Sequence, residues 1–252
     1  GLQVLEQLFP GFADAMVARG GLLGDMLADV AFDAGRRRFA PARAHRLALC
    51  ASRLAIEAEL RQRVLARPGV RARTGVDVLP PLHQGGRVVA ARFRDGGHAG
   101  AAPEQVLGAE LVVDCTGRGS RAPHWLQAWG YDVPLEERVD IGISYTSACF
   151  SRAGGCAIGA GLDKVAAFGA VTNEQPHPGV LLAQEPDAQG RPRWMAAVGG
   201  FAGDHVPATL QALRERALDI GAPELVKVTH EAELLGEVIR YRMPHSQRRR
   251  YE

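Results

Sequence analysis

The sequence predicts an α/β fold in which one part of the chain forms an open sheet and the remainder forms a mostly antiparallel sheet. Three observations support this class. An apolar run at residues 111–113 leads into small residues and then into a helical stretch, the usual order at the carboxyl edge of an open α/β sheet. Residues 52–66 have the apolar spacing of an amphipathic helix. From residue 132 onward, apolar strands follow one another with few helices between them, which favours an antiparallel sheet.

The composition is that of a globular protein. The chain has 252 residues, of which 46% are hydrophobic and 23% are charged, enough for one large domain or two intertwined ones. The 30 basic and 28 acidic residues leave a net charge of +2, so we expect no nucleic-acid partner. No apolar run is long enough for an integral membrane segment, and no basic-then-apolar signal opens the chain, so we expect a cytoplasmic protein.

The cysteines and histidines do not indicate a metal site. Cysteines stand at positions 50, 115, 149 and 156, without a CxxC pair or a histidine at ligand spacing. Free thiols in a reducing compartment are the simplest interpretation. The eight histidines are scattered along the chain and favour surface or structural roles.

The first half of the chain alternates helices and strands. Helices are predicted at 2–9, 12–18 and 52–66, the last of them capped by Ser52. Strands are predicted at 70–73, near 75–78, at 88–94 and at 106–113. Residues 22–49 mix apolar pairs with arginines and turn residues, so we expect irregular strands and loops that contact the second domain. Residues 95–103 read as a Gly/Ala-rich loop.

The second half is dominated by strands. They are predicted at 141–150, 165–171, 180–184, 194–199 and 233–240, with a turn at 186–192 joining the third and fourth into a hairpin. One amphipathic helix is predicted at 207–218. Domains are therefore expected at residues 1–131 and 132–252.

The segment LVVDCTGRGSRAP, residues 111–123, is the most informative stretch. A buried strand is expected to end in a small-residue turn, with Ser120 as the cap of a helix that closes at Gly130. This order presents backbone amides to a ligand at the sheet edge. The turn either contacts a cofactor or is an ordinary connection between a strand and a helix.

With these segments in order, the chain resembles FAD-dependent monooxygenases of the aromatic hydroxylase and squalene epoxidase class, particularly the bacterial flavin epoxidases and hydroxylases of natural-product pathways. The matching segments are SRLAIEAELRQRV (52–64), TGVDV (74–78), VVDCTGRGSRAPHWLQAWGY (112–131), WMAAVGGFAGDHVP (194–207) and RYRMPHSQRRRYE (240–252). Together they extend over nearly the whole chain, and 112–131 is the most specific. The resemblance implies part of a three-layer, Rossmann-like FAD/NAD(P)-binding domain followed by an antiparallel-sheet substrate domain.

The resemblance also implies cofactor contacts. Arg53 corresponds to an arginine close to the flavin nucleotide, although a helix-start arginine in surface ion pairs is the alternative. Val78 corresponds to a position whose backbone meets the adenine. Cys115, Thr116 and Gly117 fall on a turn near the ribityl and pyrophosphate groups. Thr116 stands where the aromatic hydroxylases carry aspartate, so a hydroxyl replaces a carboxylate there.

Two hallmarks of the resembled class are absent from the sequence. There is no GxGxxG turn, which would place the pyrophosphate at a helix N-terminus, and no Gly-Asp turn after the last predicted strand. The chain also starts at Gly1, in what reads as the middle of a helix. We therefore expect the 1–131 domain to be an incomplete FAD-binding domain and the chain to be a fragment; a degenerate protein that has lost the cofactor is the alternative.

The implied reaction is the insertion of one oxygen atom from O2 into an apolar small molecule. NAD(P)H would reduce FAD, and a flavin hydroperoxide would deliver the oxygen atom. Tyr145, Phe150 and Trp194 are candidates for an apolar substrate pocket, with ordinary sheet core as the alternative for each. No general base is assigned, and neither a nucleophile triad nor a metal is needed.

Two other functions stay open. One is a flavin-dependent halogenase or reductase on the same scaffold; a halogenase would normally carry a catalytic lysine and a WxWxIP-type stretch. The only lysines here are Lys164 and Lys227, and the stretch is absent, which weakens the halogenase interpretation. The other is a non-enzymatic α/β module that binds a hydrophobic small molecule through its sheet.

Overall fold

The computed structural model describes residues 1–96, 102–152 and 164–251. Cys156 and most of the predicted loop at 95–103 lie outside the described residues. By packing, the chain forms two compact units: residues 1–67 with 140–245, and residues 68–139 with 246–252. These units are discontinuous in sequence. The predicted boundary at residue 132 separates an FAD-binding domain from a substrate domain, and this functional division stays a prediction.

The elements are numbered along the chain. The helices are α1 (Leu2–Leu8), α2 (Phe12–Ala18), α3 (Arg53–Leu65), α4 (Ala122–Ala128), α5 (Leu210–Ile220) and α6 (Pro223–Glu231). The strands are β1 (Leu22–Asp25), β2 (Val30–Ala34), β3 (Arg37–Arg38), β4 (Leu47–Cys50), β5 (Val76–Gln84), β6 (Arg87–Asp95), β7 (Gln105–Gly108), β8 (Leu135–Ser151), β9 (Ala166–Ala170), β10 (Gly179–Gln184), β11 (Arg193–Gly200) and β12 (Ile239–Arg250). Within the described part of the chain, no helix is both long and apolar enough to cross a membrane.

The first unit is built on a seven-stranded sheet in the order β12-β8-β11-β10-β9-β2-β3. Helices α5 and α6 cover one face of it. Because side chains alternate along a strand, Trp194, Ala196 and Val198 of β11 all point to the covered face, where they pack with Leu213 and Leu225 of the helices. The predicted antiparallel hairpin of β10 and β11 is confirmed. The α/β class and the antiparallel sheet are confirmed as well.

Residues 22–49, expected to form irregular strands and loops, contain short strands, of which β2 is the longest. This strand pairs in parallel with β9, and Phe32 lies beside Phe168. The partners are more than 130 residues apart, so the local sequence carried no signal for the pairing. The last strand, predicted at 233–240, was misplaced, because it runs from Ile239 to Arg250. Residues 223–231, for which no element was predicted, form α6, which begins at Pro223.

Helix α3 confirms its predicted cap but not its predicted buried face. The Ser52 hydroxyl accepts a hydrogen bond of 3.1 Å from the Ala55 amide. The buried side chain on the helix is Glu59, which binds Arg63 of the same helix and Arg19 of the α2 end. Three hydrogen bonds from Arg63 to the carbonyls of residues 9–11 complete this contact. Ion pairs and hydrogen bonds, rather than an apolar stripe, therefore hold α3 against α2 and the residues before it.

The second unit contains a three-stranded antiparallel sheet in the order β5-β6-β7. The predicted turn at Gly85 and Gly86 joins β5 to β6. Both glycines have positive φ, as the commonest two-residue turns of β-hairpins require. The strand predicted at 70–73 is not formed. The strand predicted at 106–113 ends at Gly108.

The apolar run at 111–113 is not a buried strand, which corrects the prediction on which the fold class was partly based. Leu111 and Val113 are 78% and 69% exposed. An apolar strand is stable in a sheet only when neighbours satisfy its backbone groups, and within the described ranges no strand pairs with this run. The helix that follows does form, but it starts one residue later than predicted, with Arg121 as its N-cap.

Candidate functional site

The open face of the seven-stranded sheet contains an apolar groove of about 780 Å³ in the first unit. Its lining comes from β2, β8, β9, β10 and β11, and the face is opposite to the one covered by helices. The principal side chains are Phe32, Ile143, Tyr145, Phe168, Val180 and Met195. A volume of this size is typical of sites for small organic molecules.

One row of side chains crosses the sheet through the middle of the groove. The strand registers place Ser147 opposite Ala197, Ala197 opposite Val180, Val180 opposite Phe168, and Phe168 opposite Phe32. The side chains of this row are small on β8 and β11 and large on β9 and β2. Aromatic rings therefore bound the groove at the β9–β2 end.

The two phenylalanines form a defined wall. The Phe32 and Phe168 rings stack with their centroids 5.3 Å apart and their planes 13° from parallel. At the opposite end, the ring of Tyr145 lies 5.1 Å from the ring of Tyr241. Aromatic side chains thus lie at both ends of the groove, Phe32 and Phe168 at one end and Tyr145 at the other.

The hydroxyl groups of β8 divide between the two faces of the sheet. On the covered face, Ser144 donates to the Asp204 carbonyl and Thr146 donates to the Val206 carbonyl. On the groove face, the hydroxyls of Tyr145 and Ser147 have no hydrogen-bond partner among the described residues. These two hydroxyls at the β8 side of the groove can therefore each donate or accept a hydrogen bond with a bound molecule.

The three residues predicted to line an apolar pocket do not share one face. Tyr145 lines the groove. Phe150 and Trp194 are 0% exposed and lie in the core under α5 and α6. They pair directly across β8 and β11, so both point to the covered face. Ordinary sheet core, the alternative given for these two residues, describes their position.

The second unit contains a smaller pocket of about 250 Å³ that brings three predicted cofactor residues together. Val78, Cys115 and Thr116 line it, with Arg92 and Arg121 beside them. Gly117 continues the same turn with a φ of +63°, in the left-handed region that favours glycine. Cys115, Thr116 and Gly117 thus form one turn next to Val78, and their contact with a cofactor stays a prediction.

Asp114 organises this turn. Its carboxylate accepts hydrogen bonds from the Thr116 amide at 2.9 Å, the Thr116 hydroxyl at 2.6 Å and the Ser120 hydroxyl at 2.6 Å. The Ser120 and Thr116 bonds hold the pKa of the Asp114 carboxyl below its usual range. Ser120 also accepts from the Ala122 amide at 3.2 Å, so it supports the start of α4 although it is not the N-cap residue.

The pocket has the donors that an anionic group requires. Arg92 is held by Glu104 at 2.5 and 2.7 Å. Arg121 is exposed at the pocket, and its guanidinium has no ion-pair or hydrogen-bond partner within the ranges that the structure describes. A free guanidinium beside a left-handed glycine turn fits a phosphate-bearing group, because guanidinium recognises phosphate with paired hydrogen bonds. Of the two arginines that line the pocket, Arg121 is therefore the one available to an anionic group, since Arg92 is paired with Glu104.

Arg53 lies in the first unit, at the start of α3. Its side chain is exposed and binds Glu57 one turn later at 2.6 Å. This is the surface ion pair given as the alternative to a flavin contact, and the cofactor role of Arg53 stays a prediction.

Sequence reasoning missed Asp114, Arg121 and Ser147. Asp114 precedes the predicted turn with a hydroxyl two and six residues later, and this spacing is typical of a carboxylate that organises a turn. Ser147 stands two residues after Tyr145, so period-two alternation would have placed both on one face. No local pattern indicates that Arg121 lacks a partner.

Comparisons with known proteins agree with this architecture. No family model matches the chain. Protein Rv3254 of Mycobacterium tuberculosis is 29% identical over 259 residues, covering 100% of this chain and 52% of that protein. The chain thus spans about half the length of this curated relative.

Solved structures have the same fold. A flavin-dependent brominase, Bmp2 in a triple-mutant form, matches with a TM-score of 0.60 and 17% identity, covering 98% of this chain and 57% of that one. A flavoprotein/dehydrogenase from Cytophaga hutchinsonii matches with a TM-score of 0.61 and 12% identity, covering 96% and 55%. At these identities the likeness concerns the fold alone. The chain has the α/β fold of flavoproteins, in which a Rossmann-like part is combined with a sheet domain.

Proposed function

We propose that the protein is an FAD-dependent monooxygenase, an epoxidase or hydroxylase, that acts on an apolar small molecule with O2 as oxidant and NAD(P)H as reductant. The observation that carries this proposal is the apolar groove of about 780 Å³ on the open sheet face of a flavoprotein fold. The groove supplies a site for an apolar substrate, and the fold is one on which flavin chemistry occurs.

The chain's own residues have binding and positioning roles in this proposal. The turn of Cys115, Thr116 and Gly117, held in shape by Asp114, presents its backbone to the cofactor, and Arg121 binds its phosphate charge. When bound, FAD supplies the redox chemistry that activates O2. The apolar walls of the groove hold the substrate and keep water away from it. Val78 and Arg53 are proposed cofactor contacts, on the resemblance alone.

The test measures FAD binding and NAD(P)H oxidation in the purified full-length protein. We expect stoichiometric FAD and an NADH- or NADPH-dependent consumption of O2. Replacing Arg121 by alanine should weaken FAD binding about ten- to a hundredfold, because a charge-assisted hydrogen bond contributes about 1.5–3 kcal/mol. Arg71→Ala, an exposed arginine of the same unit outside the pocket, is the matched control and should bind FAD normally. A full-length protein that binds no FAD contradicts the proposal.

A non-enzymatic apolar-ligand module is the second candidate, and one observation favours it. The groove is lined by the first unit alone and uses no residue of the Cys115–Gly117 turn. A protein that binds apolar ligands with the same affinity with and without FAD, and consumes no O2, would support this module over the monooxygenase.

A further inference from the structure

We propose that His83, Trp129 and Tyr131 form a latch that holds α4 on β5 and thereby positions Arg121 in the pocket of the second unit. His83 and Tyr131 are then positioning residues for the anionic group that Arg121 binds. The identity of the ligand, FAD, rests on the proposed function, whereas the contacts of the latch are independent of any ligand.

One face of α4 carries both the pocket arginine and part of the latch. The Trp125 amide donates to the Arg121 carbonyl at 3.2 Å, and the Trp129 amide donates to the Trp125 carbonyl at 3.0 Å. Residues joined in this way lie one above another on the same side of a helix. Arg121 and Trp125 line the pocket, and Trp129 meets His83 of β5. The contact that holds Trp129 therefore also sets where Arg121 lies.

The turn after α4 brings two aromatic side chains onto one histidine. Gly130 has a φ of +83°, a left-handed conformation that glycine adopts without steric cost. The Tyr131 amide donates to the Leu126 carbonyl at 3.0 Å, which is the long hydrogen bond of a Schellman motif. Because the chain reverses at this point, Trp129 and Tyr131 can both contact His83.

His83 is contacted from two sides. Its ring stacks on the Trp129 ring, with centroids 4.7 Å apart and planes 11° from parallel, and it meets the Tyr131 ring edge-on at 5.6 Å. The Tyr131 hydroxyl donates to the Gly86 carbonyl at 3.2 Å, so its oxygen accepts from Nε2 of His83, also at 3.2 Å. These bonds join the end of α4 both to β5 and to the β5–β6 turn.

Helix α4 needs such contacts to keep its place. None of its residues, all of which the structure describes, is fully buried. At its start, the Ser120 hydroxyl accepts from the Ala122 amide and donates to the Asp114 carboxylate. A helix of two turns is not stable in water by itself, so the contacts at its two ends contribute strongly to its position. A guanidinium on a fixed helix loses less freedom when it binds an anion, and this raises its affinity.

The first experiment measures hydrogen exchange of the α4 amides in the full-length protein without added ligand. Tyr131→Phe keeps the ring but removes both hydrogen bonds of the hydroxyl, and His83→Ala removes the stack as well. Exchange at residues 122–131 should be about fivefold faster in Tyr131→Phe and faster still in His83→Ala. His83→Gln keeps a side-chain N–H donor and should exchange more slowly than His83→Ala.

The matched control is His124→Ala, an exposed histidine of the same helix, which should exchange like the wild type. Unchanged exchange in both Tyr131→Phe and His83→Ala overturns the latch.

The second experiment tests whether the latch acts through Arg121. FAD and, as a probe of phosphate charge alone, tripolyphosphate are titrated into the full-length protein. His83→Ala should weaken FAD binding about three- to tenfold, whereas His124→Ala should leave it unchanged. In the Arg121→Ala background, His83→Ala should have no further effect, because the residue that the latch positions is gone. A full effect of His83→Ala without Arg121 overturns the positioning role.

The two ligands separate this inference from the proposed function. Stoichiometric FAD with equal affinity in the wild type and in His83→Ala leaves the monooxygenase standing and overturns the positioning role. A protein that binds no FAD contradicts the monooxygenase, and the comparison of His83→Ala with the Arg121→Ala background is then made with tripolyphosphate. Binding of neither ligand overturns the positioning role as well.

Discussion

Tyr145 lies directly across from Gly199 on the neighbouring strand, and both residues line the groove. A Cβ atom added at Gly199 would meet Cγ of Pro178 at 3.0 Å and the backbone oxygen of Ser144 at 3.1 Å. Neither neighbour is the end of a flexible side chain. The absence of a side chain at position 199 therefore allows the Pro178 ring and the Ser144 carbonyl to lie close to this strand.

Gly199→Ala should consequently destabilise the protein by about 1–3 kcal/mol, because the extra methyl group overpacks a close contact. The free energy of unfolding is measured by urea denaturation. Gly108→Ala is the matched control, since a Cβ there meets nothing within 4 Å, and it should leave stability unchanged. An equal effect of both substitutions would disprove the role of the close contact.

Alanine substitutions of Tyr145 and Phe150 should affect different properties, ligand binding for Tyr145 and stability for Phe150, although both residues lie on β8. Phe150→Ala empties a fully buried position and should cost about 3–5 kcal/mol of stability. Tyr145→Ala removes a half-exposed groove side chain, so it should weaken ligand binding with a smaller loss of stability. Unfolding curves and ligand affinities of the two variants give the comparison. A larger stability loss in Tyr145→Ala than in Phe150→Ala would contradict the assignment of faces.

Glu59 should make the stability of the first unit depend on acid pH. Hydrogen bonds from Arg63 and Arg19 lower the pKa of this carboxyl in the folded state. A lowered folded pKa means that the contribution is present above the unfolded pKa of about 4.5 and is lost as the pH falls below it. Glu59→Gln should therefore reduce stability by about 1–3 kcal/mol at pH 7, and this difference should shrink as the pH falls through the lowered folded pKa.

The matched control for Glu59 is Glu57→Gln on the same helix, which removes only the exposed pair with Arg53. It should not measurably change the urea midpoint at either pH. If the two glutamine variants had the same midpoint at pH 7, the buried cluster would not contribute to stability.

Asp114 should control cofactor binding through the shape of its turn. Asp114→Asn keeps the size of the side chain but replaces one accepting oxygen with a donor, so the hydrogen bonds from Thr116 and Ser120 can no longer all form. We expect FAD affinity in the full-length protein to fall about three- to thirtyfold. Asp132→Asn, an exposed aspartate of the same unit, serves as the control and should bind FAD like the wild type.

Features that depend on local sequence were predictable. Ser52 has the hydroxyl that caps α3, and the alternating apolar residues around the Pro186–Pro192 turn gave the β10–β11 hairpin. The resemblance predicted Val78, Cys115 and Thr116 as cofactor contacts, but it did not predict that they line one pocket, which the structure shows. Each of the first two features is decided by residues within one turn or one hairpin of each other.

Features that depend on distant partners were not predictable. The pairing of β2 with β9 joins segments more than 130 residues apart, and the burial of Glu59 requires Arg19 from another helix. The run at 111–113 has the composition of a buried strand, but composition does not provide the neighbouring strand that would satisfy its backbone.

The sequence by itself determined the α/β class, the alternation of side chains along β8 and β11, and the residue types available to a site. The tertiary structure alone decided which alternate set met the helices and which was left open as the groove. The physical reason is that alternation along β8 fixes only that Tyr145 and Ser147 lie on one face of the sheet and Thr146 and Phe150 on the other. Which set is buried depends on where α5 and α6 dock, and that is a property of the packed chain.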